Sequence, residues 1–305
     1  MEFCKFKEMV KEELQDFYGK DATVSIESVL INNRERKECV NIIYHESGKN
    51  ICPFIYLEGL YQDFNNGDKS FEQCIRTIIQ LREKYEPGDS IENFASGLSC
   101  WEKVQGCIYP ALISAEENTE LLRELVSGRF LDMAVIYIIR GDFGEYGNAH
   151  VKITDSLLQR YGISQKELHE QAVSNLEKDG YHFRSMENVL ISILLDDNDL
   201  ADKLVTNSTF EAGKMYILSN SQKAWGAAGL LDLELLKRTL GNKSCFILPS
   251  SIHETIFLPV ADGISGEELS RMVREVNETQ VEVSDRLSNH CYVYDGVDGS
   301  VKMCA

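Results

Sequence analysis

The feature that most limits what this chain can fold into is the length of its apolar runs. The longest, Met133–Ile139 and Val189–Leu195, extend for about seven residues each, where a membrane-spanning helix needs ~20. Runs of that length, bounded by polar and turn-forming residues, suit strands buried on both faces. Met133–Ile139 and Val189–Leu195 are therefore both expected to be interior strands. The first residues, Met1-Glu2-Phe3-Cys4-Lys5-Phe6-Lys7-Glu8, lack the basic start and continuous apolar stretch of a signal peptide, which makes a cytoplasmic location the expectation.

Between these runs the periodicity changes along the chain. Phe3, Phe6, Val10, Leu14 and Phe17 recur at spacings of three and four and predict an amphipathic helix over 3–18. Val24, Ile26 and Leu30, then Val40, Ile42 and Tyr44, alternate as in two strands, with Asn32-Asn33-Arg34 between them as the turn. Ser70 and Gln73 form a capping box ahead of Phe71, Cys74, Ile75, Ile78, Ile79, Arg82 and Tyr85. The same device recurs at Ser164/Glu167 and Ser265/Glu268. Residues 86–99 are rich in Gly, Ser, Asn and Asp and weak in periodicity, which makes them the candidate domain boundary. The expectation is an N-terminal helix–hairpin–helix unit, 1–97, and a larger mixed α/β part, 98–305, with a single domain as the alternative. In the second part a helix is expected over 116–127. Strands are expected at 107–113, 131–139, 187–195, 214–219, 244–248 and 254–260, and a closing hairpin after Cys291. The fold class is α+β, a mixed sheet with helices.

Composition narrows the function classes. With 31 Lys and Arg against 49 Asp and Glu, the formal charge is −18. A nucleic-acid partner needs a cationic stripe to neutralise phosphates. The densest basic stretch, Arg34-Glu35-Arg36-Lys37, falls in a hairpin turn and contains an acid. Nucleic acid and anionic membrane surfaces are excluded on this ground, which leaves another protein as the class of macromolecular partner. The nine cysteines are odd in number and widely spaced, with no C-x-x-C, as in a chain with reduced thiols.

The catalytic and metal templates each lack a required element in this sequence. No phosphate-binding glycine loop and no G-x-S-x-G elbow occurs, and no cofactor is implied. His45-Glu46, His169-Glu170 and His253-Glu254 lack the second histidine of a zinc-protease helix. Asp196, Asp197 and Asp199 offer hard oxygen ligands at short spacing but lack the glycine and final glutamate of a calcium loop. The densest reactive stretch is Ser250-Ser251-Ile252-His253-Glu254. On an extended chain Ser251 and His253 share a face while Glu254 points away, so a nucleophilic relay would need a carboxylate from elsewhere, such as Asp132. The plainer reading is that Pro249-Ser250-Ser251 turns one strand into the next and His253 bonds locally. Trp225-Gly226-Ala227-Ala228-Gly229 permits close approach of a ligand to backbone, and equally a tight helix start packed on a sheet.

These residues carry a resemblance. Cys52–Leu57, Leu131–Tyr137, Leu168–Asn175, Met215–Asn220 and Leu248–Glu254, in that order, resemble an uncharacterised bacterial family of unknown function. The resemblance brings no reaction or ligand. It implies that the Leu248–Glu254 and Ser219-Asn220 segments belong to the family pattern, which places Asn220 beside Trp225 as a binding candidate. The resulting expectation is a non-enzymatic binding or adaptor protein. The alternative is a hydrolase or transferase acting through Ser250, Ser251, His253, Glu254 and Asp132.

Overall fold

The computed structural model describes residues 1–45, 52–85, 88–144, 148–195, 210–211, 213–261 and 263–304. The protein is α+β, with helices and antiparallel sheets. It divides into two compact units, Met1–Lys103 with Gly141–Ala149, and Val104–Arg140 with His150–Ala305.

In the first unit, helix α1 (Phe3–Tyr18) buries Phe6, Val10 and Leu14, one face at the 3.6-residue period. Strands β1 (Ala22–Leu30) and β2 (Arg36–Tyr44) pair antiparallel from Ala22↔Tyr44 to Leu30↔Arg36. The turn between them holds Asn33 and Arg34 at φ 57° and 59°, as a two-residue hairpin loop of the primed type requires. Strand β3 (Ile55–Tyr56) adds to β2, and helices α2 (Glu58–Asn66) and α3 (Phe71–Lys84) follow. The capping box at Ser70 and Gln73 is formed in both directions. Arg82, on the buried face of α3, donates Nε to Ile42 O at 3.2 Å and lies 4.8 Å over the Tyr44 ring. The stretch expected to be the domain boundary contains helix α4 (Asp89–Gly97). Asp89 and Glu92 in its first turn suit the positive helix end, a local signal that the small polar composition masked. A short helix, α5 (Trp101–Val104), comes next.

In the second unit, β4 (Ile108–Ser114), β5 (Ser127–Phe130), β6 (Met133–Asp142) and β7 (Asn148–Lys152) form a sheet with β6 central. Residues 116–126, expected to be helical, form turns and one 3₁₀ turn, Leu121–Arg123; Leu121 and Leu122 pack on the sheet without needing a full helix. Strand β6 is buried on both faces. Ala134, Ile136 and Ile138 join Ala111, Ile113 and Leu125 in one cluster, against which Tyr109 and Trp225 pack. After helix α6 (Asp155–Tyr161), helix α7 (Gln165–Leu176) packs on β4. Its buried Asn175 donates Nδ2 to Gln105 O at 2.7 Å and Ile108 O at 2.8 Å.

The second sheet of this unit runs β13–β12–β10–β11–β9–β8 and is antiparallel throughout. Its strands are β8 (His182–Ser185), β9 (Tyr216–Ser219), β10 (Cys245–Leu248), β11 (Thr255–Pro259), β12 (Tyr292–Tyr294) and β13 (Val301–Met303). The apolar run at 189–195 is not a strand but part of helix α8 (Met186–Leu195). A run of about seven apolar residues satisfies either period, and the helix leaves Leu190, Ile193 and Leu194 exposed. Helix α9 (Leu233–Leu240) and the amphipathic α10 (Gly266–Thr279) complete the unit, α10 packing on β10. Among the described residues no helix is long and apolar enough to cross a membrane.

Candidate functional site

The register of the six-stranded sheet gathers its polar residues at one end. Ser219 lies opposite His182, Leu218 opposite Thr255, Leu248 opposite Ile256 and Ile247 opposite Tyr292. The segments that follow β9 and β10, and those that precede β8, β11 and β12, therefore emerge together. They carry Asp179, Asn220, Ser250, Ser251, His253, Ser288 and His290.

His253 sits in the turn between β10 and β11. Its Nδ1 accepts the Trp225 backbone N–H at 3.2 Å, so the ring proton resides on Nε2, which faces Asp285 Oδ1 at 3.5 Å. Its carbonyl accepts the Ser219 hydroxyl at 2.9 Å, and its own N–H donates to Ser251 Oγ at 3.0 Å. The turn is closed by Ser251 N–H to Glu254 O at 3.2 Å. Trp225 holds φ 58°, a left-handed conformation that costs a non-glycine residue about 1–2 kcal/mol, and the His253 contact helps to offset it. Gly226 follows because no side chain fits: a Cβ there would stand 2.3 Å from His253 O. The Trp225 ring is half-buried, with the His150 ring 6.1 Å and the His253 ring 6.4 Å away.

Beside it lies a buried ion pair. Arg140 continues the alternate positions Ala134, Ile136 and Ile138 along β6, stacks 4.2 Å over Tyr109, and pairs through Nη1 with Asp179. The other Asp179 oxygen accepts Asn220 Nδ2 at 2.9 Å. Asn220 also donates Nδ2 to Ala224 O and accepts the Ala224 N–H, which braces the loop leading to Trp225. Its amide is therefore engaged within the protein. Burial pushes the Tyr181 phenol, next to Asp179 and Arg140, well up.

A second histidine–carboxylate pair occupies the β12 side. Asp132 Oδ2 accepts from Ser288 Oγ at 2.9 Å and from His290 Nδ1 at 3.1 Å, and Asp132 Oδ1 accepts from Tyr292 Oη at 2.5 Å. Burial alone would raise the Asp132 carboxyl, but these bonds, Tyr292 foremost, hold it below its ordinary value. The sequence reading offered Asp132 as a carboxylate for His253. The structure brings Asp132 to His290, and the carboxylate facing His253 is Asp285. A signal for this was present: Ser288, His290 and Tyr292 alternate, and an extended segment turns all three to one face.

The remaining candidates separate. Ser250 N–H closes the turn onto Leu248 O at 2.9 Å. His169 Nδ1 meets Tyr137 Oη at 3.0 Å, and His45 bridges Thr23 and Lys20 O. Asp196, Asp197 and Asp199 lie outside the described residues, as does Glu46. Among the described residues no group of three or more His, Cys, Asp or Glu side chains is placed to hold a metal ion.

The polar residues of this α+β fold thus converge at one end of the six-stranded sheet. The chain belongs to the family of unknown function DUF5688, whose model matches residues 3–296. No curated protein and no solved structure matches it.

Proposed function

We propose that this protein is a binding protein whose ligand site is the half-buried Trp225 surface held in place by His253. The observation that carries this reading is how the His253 imidazole is used. Nδ1 takes a backbone N–H and Nε2 faces Asp285, so neither nitrogen stands ready to draw a proton from Ser250 or Ser251. The Ser251 hydroxyl meets the backbone of His253 rather than its ring. A general base must reach the proton it abstracts. Instead the imidazole fixes a tryptophan in a strained backbone conformation, an arrangement that presents an aromatic surface of defined orientation.

The chain has two tryptophans, so Trp101→Phe leaves Trp225 as the sole reporter. The test is a thermal-shift screen of metabolites, each positive then titrated against Trp225 emission. A ligand that raises the melting temperature by mass action and shifts Trp225 emission saturably supports the reading. Hydrolysis of an acyl or phosphoryl ester that vanishes in Ser250→Ala or Ser251→Ala would overturn it.

A second reading is favoured by the other pair. Asp132 orients His290 through Nδ1, and the His290 side chain is 45% exposed, the geometry of a carboxylate-oriented base. In this form of the hydrolase or transferase alternative, Asp132 acts with His290. Its test is turnover abolished by His290→Gln and left intact in His253→Gln.

A further inference from the structure

The geometry points to Cys304 and Cys291 as a dithiol modification site, at which a small disulfide from solvent oxidises the pair to an intramolecular disulfide.

The placement comes from the sheet register. Tyr292↔Met303, Val293↔Lys302 and Tyr294↔Val301 pair β12 with β13. One step further, Cys304 N–H donates to Cys291 O at 2.9 Å, so the two cysteines stand opposite each other on one face. Opposed residues of a hydrogen-bonded antiparallel pair have Cα atoms about 5.5 Å apart, inside the span that a disulfide bridges. Their sulfurs lie 3.6 Å apart, and an approach of about 1.5 Å brings them to bonding length. The face is covered by α10. Cys291 N–H donates to Ser270 Oγ at 2.9 Å, and a Cβ at Gly266 would stand 2.8 Å from Cys304 Sγ. The missing side chain at Gly266 is what leaves room for that sulfur.

The two thiols differ in access. Cys291 is fully buried and packs with Phe246 and Leu269. Cys304 is half-buried and lines a cavity of about 410 Å³ whose wall also includes Phe246, Val293 and Asp295. The Asp295 carboxylate and the chain's charge of −18 favour an uncharged disulfide over an anionic one.

Access sets the order of steps. The Cys304 thiolate attacks one sulfur of the small disulfide. A bond to Cys304 forms, the original S–S bond breaks, and the leaving half takes up the proton that Cys304 gave. Cys291 then loses its proton and attacks the Cys304 sulfur of the mixed disulfide. The protein disulfide forms, and the second half leaves with that proton. Two electrons and two protons thus pass from the protein to the small disulfide, which ends as two thiols. Burial raises both thiols above their ordinary range, so the pair reacts slowly at neutral pH. The bridge ties β13, the edge strand of the six-stranded sheet, to β12.

The test treats native full-length protein with 2-hydroxyethyl disulfide, alkylates the remaining thiols and maps tryptic peptides by mass. Cleavage after Arg286 and Lys302 separates the two cysteines, so the bridge joins peptide 287–302 to the one beginning at Met303. Expected are that linked pair, its loss on adding dithiothreitol, and a rate of formation that rises about tenfold per pH unit between pH 7 and 8.5. Cys291→Ala is expected to stop Cys304 at the mixed disulfide, and Cys304→Ala to leave Cys291 reduced. If neither variant folds, the wild-type peptide map carries the test. A wild-type Cys304 that persists as the mixed disulfide overturns the inference, as does one left unmodified while the exposed Cys4 and Cys107 react. So does a linked pair that forms only in urea-unfolded protein, which marks chance pairing of the unfolded chain.

Discussion

Gly226→Ala is the substitution whose consequence follows most directly from the geometry. The new Cβ would stand 2.3 Å from His253 O, 2.6 Å from Ser219 Oγ and 3.0 Å from Asn220 N. Two of these three atoms belong to backbone, so no side-chain rotation relieves the contact. Overpacking of this kind costs about 1–3 kcal/mol. Separating Ser219 Oγ from His253 O, a 2.9 Å bond, adds about 1 kcal/mol. The sum, about 2–4 kcal/mol, corresponds to a melting-temperature drop of at least ~4 °C in a unit of 150–250 residues. Differential scanning calorimetry on wild type, Gly226→Ala and Gly106→Ala measures it. A Cβ at Gly106 meets nothing within 4 Å, so that control is expected to melt within about 2 °C of wild type. Gly226→Ala should also change Trp225 emission, because the Trp225 N–H bond to His253 shares the displaced turn. A Gly226→Ala protein that melts with wild type and keeps its emission would refute the packing argument and the rigidity assigned to this loop.

Three further outcomes are expected. Asn175→Ala removes two buried hydrogen bonds to Gln105 O and Ile108 O and should destabilise the second unit by about 2–3 kcal/mol, read from a urea unfolding curve. Because the folded pKa of His150 is lowered, the unfolded chain binds the extra proton first. The stability that His150 contributes by remaining neutral is present above pH ~6.5 and falls as pH drops below it, so His150→Asn should flatten the melting temperature between pH 7 and 5.5. Maleimide labelling of native protein, located by peptide mass mapping, should modify the exposed Cys4 and Cys107 and spare the buried Cys39, Cys74, Cys245 and Cys291. Burial pushes Cys39 to about 11 and Cys245 to about 12, which withholds the reactive thiolate.

What the sequence determined by itself is local. The capping boxes at Ser70/Gln73, Ser164/Glu167 and Ser265/Glu268 each involve residues three apart, so the signal and the structure occupy the same few positions. The stripe Phe6, Val10 and Leu14, and the alternation of the β1–β2 hairpin, were legible for the same reason. The turn at Pro249-Ser250-Ser251 was legible too, because the bonds that close it lie within the same loop, whereas the His253 ring meets Trp225 across 28 positions and faces Asp285. Two regions show where local reading stops. Residues 189–195 fit a strand and a helix equally, and only their tertiary surroundings select the helix. Residues 116–126 bury their leucines against the sheet through turns, which no period anticipates. The contacts that define the polar sheet end were decided by tertiary structure alone. Asp132 meets His290 across 158 positions and Asp179 meets Asn220 across 41. Pairing over such separations depends on which strands become neighbours, and that is set by packing of the whole unit rather than by the residues flanking either partner.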